Sequence, residues 1–231
     1  MRRILAFLLS LCVLILPVRA EEVKHVALSF DDGPSGKYTT ELLDGLYDRG
    51  VKATFLLCGY RMADYPEITQ RIFDEGHEIG YHGYSHNRMK NMSRRDIARE
   101  LMDSQALLPS GCDPVFLRPP GGCCSDAVRQ VAEARNLAIL SWSVDPRDWA
   151  TDDVGAIETA VLKKISDGDI VLLHDMTTSS VRAALDIIDT LLEENFEIVT
   201  VSELARLRGM KPKPGQVYTS FPKKEEEDKA K

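Results

Sequence analysis

Residues 21–209 alternate short apolar runs with stretches of helical period, and no long linker interrupts them. The runs at His25–Phe30, Val51–Leu57, His77–Gly80, Val115–Leu117, Leu137–Trp142, Ile170–Leu173 and Glu197–Val201 read as strands. They are short, rich in Val, Ile, Leu and Phe, and bounded by Gly, Pro or Asp. Helical patterns lie between them. Thr39–Arg49 carries Leu42, Leu43 and Leu46 on one face and stops at Gly50, while Ser93–Leu108 opens on a cap-like Ser93 with Asp96 three residues on and ends before Pro109. Ser125–Ala134, Asp152–Ile165 and Ser179–Leu192 follow the same plan. Seven strand–helix units in about 190 residues predict a parallel α/β fold, whose natural closed form is a barrel. An open doubly wound sheet is the competing architecture, but no GxGxxG follows the first strand, which removes its usual dinucleotide-binding variant.

The two ends differ from this middle. Arg2 and Arg3 precede a nearly continuous apolar run, Ile4 to Val18, and Val18-Arg19-Ala20 offers a cleavage site before Glu21. This reads as a signal peptide over residues 1–20, with an uncleaved N-terminal anchor as the alternative. The run is shorter than the roughly 20 apolar residues that span a bilayer comfortably, so no stable membrane span is expected after cleavage. Loss of this segment removes Arg2, Arg3 and Arg19 and no acid, taking the formal net charge from −7 to −10. Such a chain is a poor partner for nucleic acid, whose binding depends on phosphate neutralisation. Residues 210–231, opening on Lys211-Pro212-Lys213-Pro214, are polar and without periodicity, and read as a disordered charged tail. Of the cysteines beyond the leader, Cys58, Cys112, Cys123 and Cys124, none forms a CxxC pair, and a bond from Cys112 to Cys123 or Cys124 is compatible with export.

The reactive side chains fall at related places in the pattern. Asp31 and Asp32 end the first strand, His82 and His86 follow the third, and Arg118 follows the fourth. Asp145 and Asp148 follow the fifth, and His174 ends the sixth. All lie at carboxyl ends of strands, the edge on which parallel α/β folds build active sites. On a helical turn, His82 and His86 would project from one face, and a carboxylate from a neighbouring strand end would complete a facial metal set with positions open for water and substrate. A second carboxylate beside such a set can act as a base.

Five short motifs carry a resemblance. Ser29-Phe30-Asp31-Asp32-Gly33, His82-Gly83-Tyr84-Ser85-His86, Arg118-Pro119-Pro120-Gly121-Gly122, Asp145-Pro146-Arg147-Asp148-Trp149 and Leu172-Leu173-His174 occur in that order. In this the chain resembles the polysaccharide deacetylases with a NodB-type domain, carbohydrate esterase family four, over roughly residues 23–208. The resemblance implies a distorted (β/α)7 barrel as the catalytic domain, here residues 21–209. It implies hydrolysis of N-acetyl groups on N-acetylglucosamine or N-acetylmuramic acid units of peptidoglycan or a chitin-like polymer by a monomer that is secreted or wall-associated. Asp31 would then be the general base, and Asp32, His82 and His86 the ligands of a divalent metal, zinc first and cobalt, nickel or manganese as alternatives. Arg118 would hold and tune Asp31, and His174 would be the general acid. Asp148, or else Asp145, would orient His174. Trp149 and Leu172 would wall the acetyl pocket, and the Gly121 N–H would serve the oxyanion.

The chain departs from the family pattern at three positions. Gly83 stands in place of a hydroxyl residue that braces the histidine loop, Tyr81 in place of Asn, and Gly121 in place of an aromatic residue. A more open cleft and an altered sugar preference are expected. Two other functions remain on the same scaffold: a glycan-binding protein that releases no acetate, and a hydrolase of small amides or imides. His25, His77 and Trp142 read as structural residues.

Overall fold

The computed structural model describes residues 23–223. The expected leader, residues 1–20, and residues 224–231 of the expected tail lie outside the described residues. Among the described residues there are eight strands and eight α-helices, with two of the helices both falling between the second and third strands. The strands are β1 (Lys24–Asp31), β2 (Thr54–Leu57), β3 (Glu78–Tyr81), β4 (Phe116–Leu117), β5 (Ala138–Leu140), β6 (Ile170–His174), β7 (Phe196–Val199) and β8 (Val217–Tyr218). The helices are α1 (Tyr38–Asp48), α2 (Gly59–Asp64), α3 (Pro66–Asp74), α4 (Arg94–Gln105), α5 (Asp126–Ala134), α6 (Val154–Leu162), α7 (Thr178–Glu193) and α8 (Val201–Leu207).

All seven predicted strands form, and every strand pair is parallel. In the order β6-β1-β2-β3-β4-β5-β8, β1 pairs with three strands: β2 on one edge and, on the other, β7 along its first half and β6 along its second. Val26 to Phe30 are fully buried, as expected for a parallel strand covered on both faces. Beyond β5 the chain leaves the ladder, and Val144 bridges to Val171, with the Leu172 N–H donating to the Val144 carbonyl at 2.9 Å. That bridge closes the curled sheet into the distorted barrel, and the early exit makes β5 shorter than its apolar run.

Side chains alternate along β1 as a strand requires. Val26, Leu28 and Phe30 face outward and pack with Leu42 and Leu46 of α1 and Ile187 of α7. Ala27, Ser29 and Asp31 therefore occupy the other face, inside the barrel. Of the serine caps read from sequence, Ser93 accepts from the Asp96 N–H at 3.2 Å and Ser125 from the Val128 N–H at 3.4 Å, whereas α7 is capped by Thr177 in place of Ser179. Helices α2 and α3 fill the β2–β3 crossover, which the sequence pattern leaves unassigned. The first is too short to show a period, and the second starts at Pro66, a residue suited to a first helical turn.

The charged tail is corrected in part. Residues 217–218 form β8 on the free edge of β5, and Phe221 is fully buried with Ala27, Leu56, Phe116, Ile170 and Leu204. The Phe221 N–H donates to Gly168 O at 2.8 Å, Arg208 Nε donates to Phe221 O at 3.0 Å, and Arg208 and Lys223 both pair with Asp167. This segment plugs the end of the barrel opposite the reactive residues. Its partners are distant in sequence, so no local period announces it. Phe221→Ala should lower unfolding free energy by roughly 3–5 kcal/mol in urea titrations, the range for emptying a buried aromatic site; a passive tail would give no change.

Candidate active site

The reactive residues converge at the carboxyl ends of the strands, in a cleft of about 660 Å³ lined by Asp31, Asp32, His82, His86, Gly121, Trp142, Asp145, Trp149, Leu172 and His174 among others. Asp31 ends β1 on the inner face. Its Oδ1 accepts a 2.6 Å hydrogen bond from Arg118 Nη1. Arg118 Nη2 reaches Ser29 Oγ and the Ser141 carbonyl, each at 2.9 Å, and its guanidinium lies 5.6 Å from the Trp142 ring centre. Asp31 is thus pinned by one oxygen, leaving Oδ2 towards the cleft.

The next residue turns sharply. Asp32 takes the left-handed conformation, φ 76°, which swings its carboxyl away from the barrel interior and beside the two imidazoles. Its Oδ1 lies 3.3 Å from His82 Nε2 and 2.9 Å from His86 Nε2, and the two rings are 5.2 Å apart. The carbonyl of Arg118 sits 2.7 Å from His82 Nδ1. A carbonyl can only accept, so Nδ1 carries the proton and Nε2 presents its lone pair to Asp32. Asp32 Oδ1 is itself buried without a hydrogen-bond partner. One ligand atom from each of Asp32, His82 and His86 falls within 4.8 Å of the others. Lone pairs that converge in this way, with the far nitrogen of one imidazole anchored on a backbone carbonyl, fit a divalent cation. Burial pushes the Asp32 carboxyl up, but when the two imidazoles are protonated their hydrogen bonds and charge outweigh it and hold the group far below the usual carboxylate range.

The loop from His82 to His86 has its own brace. Glu100 of α4 accepts from the Tyr84 N–H at 2.7 Å, the Ser85 N–H at 2.8 Å and the Ser85 hydroxyl at 2.8 Å. At Gly83 (φ 79°) a side chain would be strained by the left-handed backbone, and its Cβ would press on Met89 Cε at 2.8 Å and Glu100 Oε2 at 3.2 Å. The support that Gly83 was expected to remove is therefore supplied from another helix. Tyr81 is buried in β3 and packs with Ile97 and Leu117 rather than facing the cleft.

On the far side, His174 ends β6. Asp148 grips it twice, Oδ1 at 2.8 Å from Nδ1 and Oδ2 accepting the His174 backbone N–H at 2.8 Å. Burial lowers the His174 pKa, but the hydrogen bond and charge of Asp148 outweigh it and raise the group to about 9. Asp145 does not take this part; it lines the cleft and accepts from the Arg147 N–H at 2.8 Å. Leu172 is buried in the wall, while Trp149 is 58% exposed at the rim, with Arg147 over its ring.

Sequence reasoning passed over Glu100 and Asp175. The Asp175 carboxyl is fully buried, accepts from the Thr39 hydroxyl and lies against Gly33, where a Cβ would come within 2.6 Å of it. Burial pushes it up to about 7. It ties the end of β6 to the turn after Asp32. Its position next to His174 was the only signal for it, and Glu100 sits in an ordinary polar helix pattern with no signal at all. The four cysteines Cys58, Cys112, Cys123 and Cys124 are unpaired, so the Cys112 bond does not form.

The family model for polysaccharide deacetylases matches residues 19–140. The chain belongs to the polysaccharide deacetylase family. It is 38% identical over 191 residues to a peptidoglycan-N-acetylglucosamine deacetylase of Bacillus cereus, covering 80% of this chain and 90% of that one. It is 34% identical over 200 residues to a chitooligosaccharide deacetylase of Sinorhizobium fredii, covering 85% and 90%. Among solved structures, a family 4 acetyl xylan esterase from Clostridium thermocellum in complex with a cobalt ion superposes with a TM-score of 0.79 at 35% identity, over 86% of this chain and all of that one. The deacetylase is a hydrolase of the amide bonds that hold N-acetyl groups on polysaccharide, built on the distorted barrel of this family.

Because Glu100 holds the loop between His82 and His86 without touching their rings, Glu100→Ala should weaken zinc or cobalt binding by roughly 10- to 100-fold, the usual effect of losing an outer support. Competition against a chromophoric chelator measures it, with circular dichroism as the check on folding.

Proposed function

We propose that the deacetylase removes acetyl groups from N-acetylglucosamine or N-acetylmuramic acid units of a wall or extracellular polysaccharide, peptidoglycan or chitin-like, with a divalent metal held by Asp32, His82 and His86. The observation that carries this reading is the cluster of three unshared ligand atoms lying between a pinned carboxylate, Asp31, and a charged imidazole, His174. Residues 21–209 form the catalytic domain in this reading, and the leader 1–20 exports it to the wall or the medium. Among the described residues, no helix is long and apolar enough to cross a membrane.

Amide hydrolysis needs an activated water, a polarised carbonyl and a proton for a poor leaving group. A divalent cation at this site, zinc by preference with cobalt, nickel or manganese as alternatives, polarises the carbonyl and lowers the pKa of water. Asp31 receives the proton of the attacking water on Oδ2, because Oδ1 is committed to Arg118. Arg118 keeps that carboxylate in place from a fully buried position. His174, held by Asp148 through Nδ1, offers Nε2 to the departing amine and protonates it. Leu172 and Trp149 wall the acetyl methyl group, and the Gly121 N–H shares the charge that develops on the carbonyl oxygen.

Acetate release from peptidoglycan or chitin oligomers should disappear with a strong chelator and return with zinc. Asp31→Asn should lower kcat by about 10²- to 10⁴-fold, the scale of a lost general base. Release that ignores the chelator, or undiminished turnover in Asp31→Asn, sinks this reading; a pure glycan binder would release nothing under any metal.

The pH dependence has a definite sign. His174 acts as an acid only when protonated, so activity falls as pH rises through its raised pKa of about 9. A cation held by Asp32, His82 and His86 would repel the imidazolium and move that alkaline limb lower. Asp148→Asn should shift the limb further down and reduce kcat, read from kcat/KM against pH. The same pair stabilises the fold fully below the unfolded histidine value of 6.5, and that stabilisation fades as pH climbs towards 9.

A further inference from the structure

One cation of the cleft has no part in the chemistry above. Arg88 follows the ligand His86 by two residues and lines the cleft. Its backbone is anchored from behind: Met89 is fully buried against Tyr81, Ile97 and Leu117, and the Met92 N–H closes the turn on Met89 O at 3.1 Å. The guanidinium lies over Gly121, where a Cβ would be 3.5 Å from Nε and 3.8 Å from Cζ. Glycine at that position leaves the charge bare on its cleft side.

The acids of the cleft are engaged elsewhere. Asp31 is bound to Arg118, Asp148 to His174 and Asp145 to the Arg147 N–H, and Asp32 faces the two imidazoles. Arg147, on the arc of the mouth formed after β5, is turned onto the ring of Trp149 at 5.1 Å. Among the described residues, no carboxylate or carbonyl pairs with Arg88. Arg88 is exposed where it lines the cleft, and a guanidinium is a planar fork of donors that matches a carboxylate arriving there.

We propose that Arg88 pairs with a carboxylate carried on or beside the reacting sugar, so that the enzyme prefers acidic amino-sugar polymers to neutral ones. This rests on the deacetylase reading above. The chemistry of the sugar favours it: an acid borne on O3 of a hexosamine is attached to the carbon next to the one that carries the acetamide. A carboxylate there stays within a few bonds of the reacting carbonyl and within reach of a long side chain two residues from His86. The acid arises either from a free 3-O-lactyl ether or from a peptide joined to it.

Acetate release by the full, metal-loaded chain tests this on three substrates of matched length. They are neutral chitin oligomers, peptide-free strands with free lactyl carboxylates, and strands whose lactyl group is amidated by a peptide. Wild-type kcat/KM should be higher on an acid-bearing strand than on the neutral oligomer. Arg88→Ala should lower that acidic-to-neutral ratio about tenfold, the scale of one charge-assisted hydrogen bond, and Arg88→Glu should lower it further. Preference for the peptide-free strand assigns the lactyl carboxylate, and preference for the peptide-bearing strand assigns the peptide acids; either supports the proposal. A wild-type ratio at or below one, or a ratio that Arg88→Ala leaves unchanged, overturns the proposal while the deacetylase reading stands. No acetate from any of the three overturns both.

Discussion

Arg118 is charged, fully buried and bonded to both Asp31 and His82. Its side chain pins Asp31 and ties it to Ser29 and Ser141, while its own carbonyl fixes the tautomer of His82. Asp31 and His82, the proposed base and one proposed ligand, are thereby both referred to the residue that follows β4. A buried ion pair stabilises little by itself, since desolvation offsets most of the attraction, but removing one partner leaves an uncompensated charge and costs about 3–5 kcal/mol. The geometry around Asp31 is therefore stiff because its alternatives are expensive.

The remaining supports reach the site from different elements. Glu100 of α4 shapes the histidine loop through backbone N–H groups, Asp148 orients His174, and Asp175 joins the end of β6 to the turn after β1. A left-handed Asp32 is sterically unfavourable, and it persists because the strand before it and Asp175 against Gly33 leave the turn little freedom. The barrel contributes by bringing the ends of β1, β3, β4, β5 and β6 to one mouth, and the buried Phe221 plug holds the other end closed.

Much of this was legible in the residues. The strand–helix rhythm gave the parallel α/β fold, and strand-end placement gathered Asp31, Asp32, His82, His86, Arg118, Asp148 and His174, all of which share the cleft or its supports. The HxxxH spacing suggested a helical turn, whereas His86 is left-handed and the two rings meet through a loop. The choice between Asp145 and Asp148 stayed open in the sequence because both lie in the same motif, and only the bidentate grip on His174 separates them.

By itself, then, the sequence determined the order of strands and helices along the chain, the parallel α/β class and which reactive side chains gather at the strand ends. These depend on periodicity and on residue chemistry, which are local. What only the tertiary structure decided is how those groups are held and what surrounds them: the Glu100 brace behind Gly83, the Asp175 tie, the bare Arg88 over Gly121 and the Phe221 plug. Each is a contact between residues far apart in the chain, or a space defined by backbone conformation, and neither leaves a period or a spacing to read.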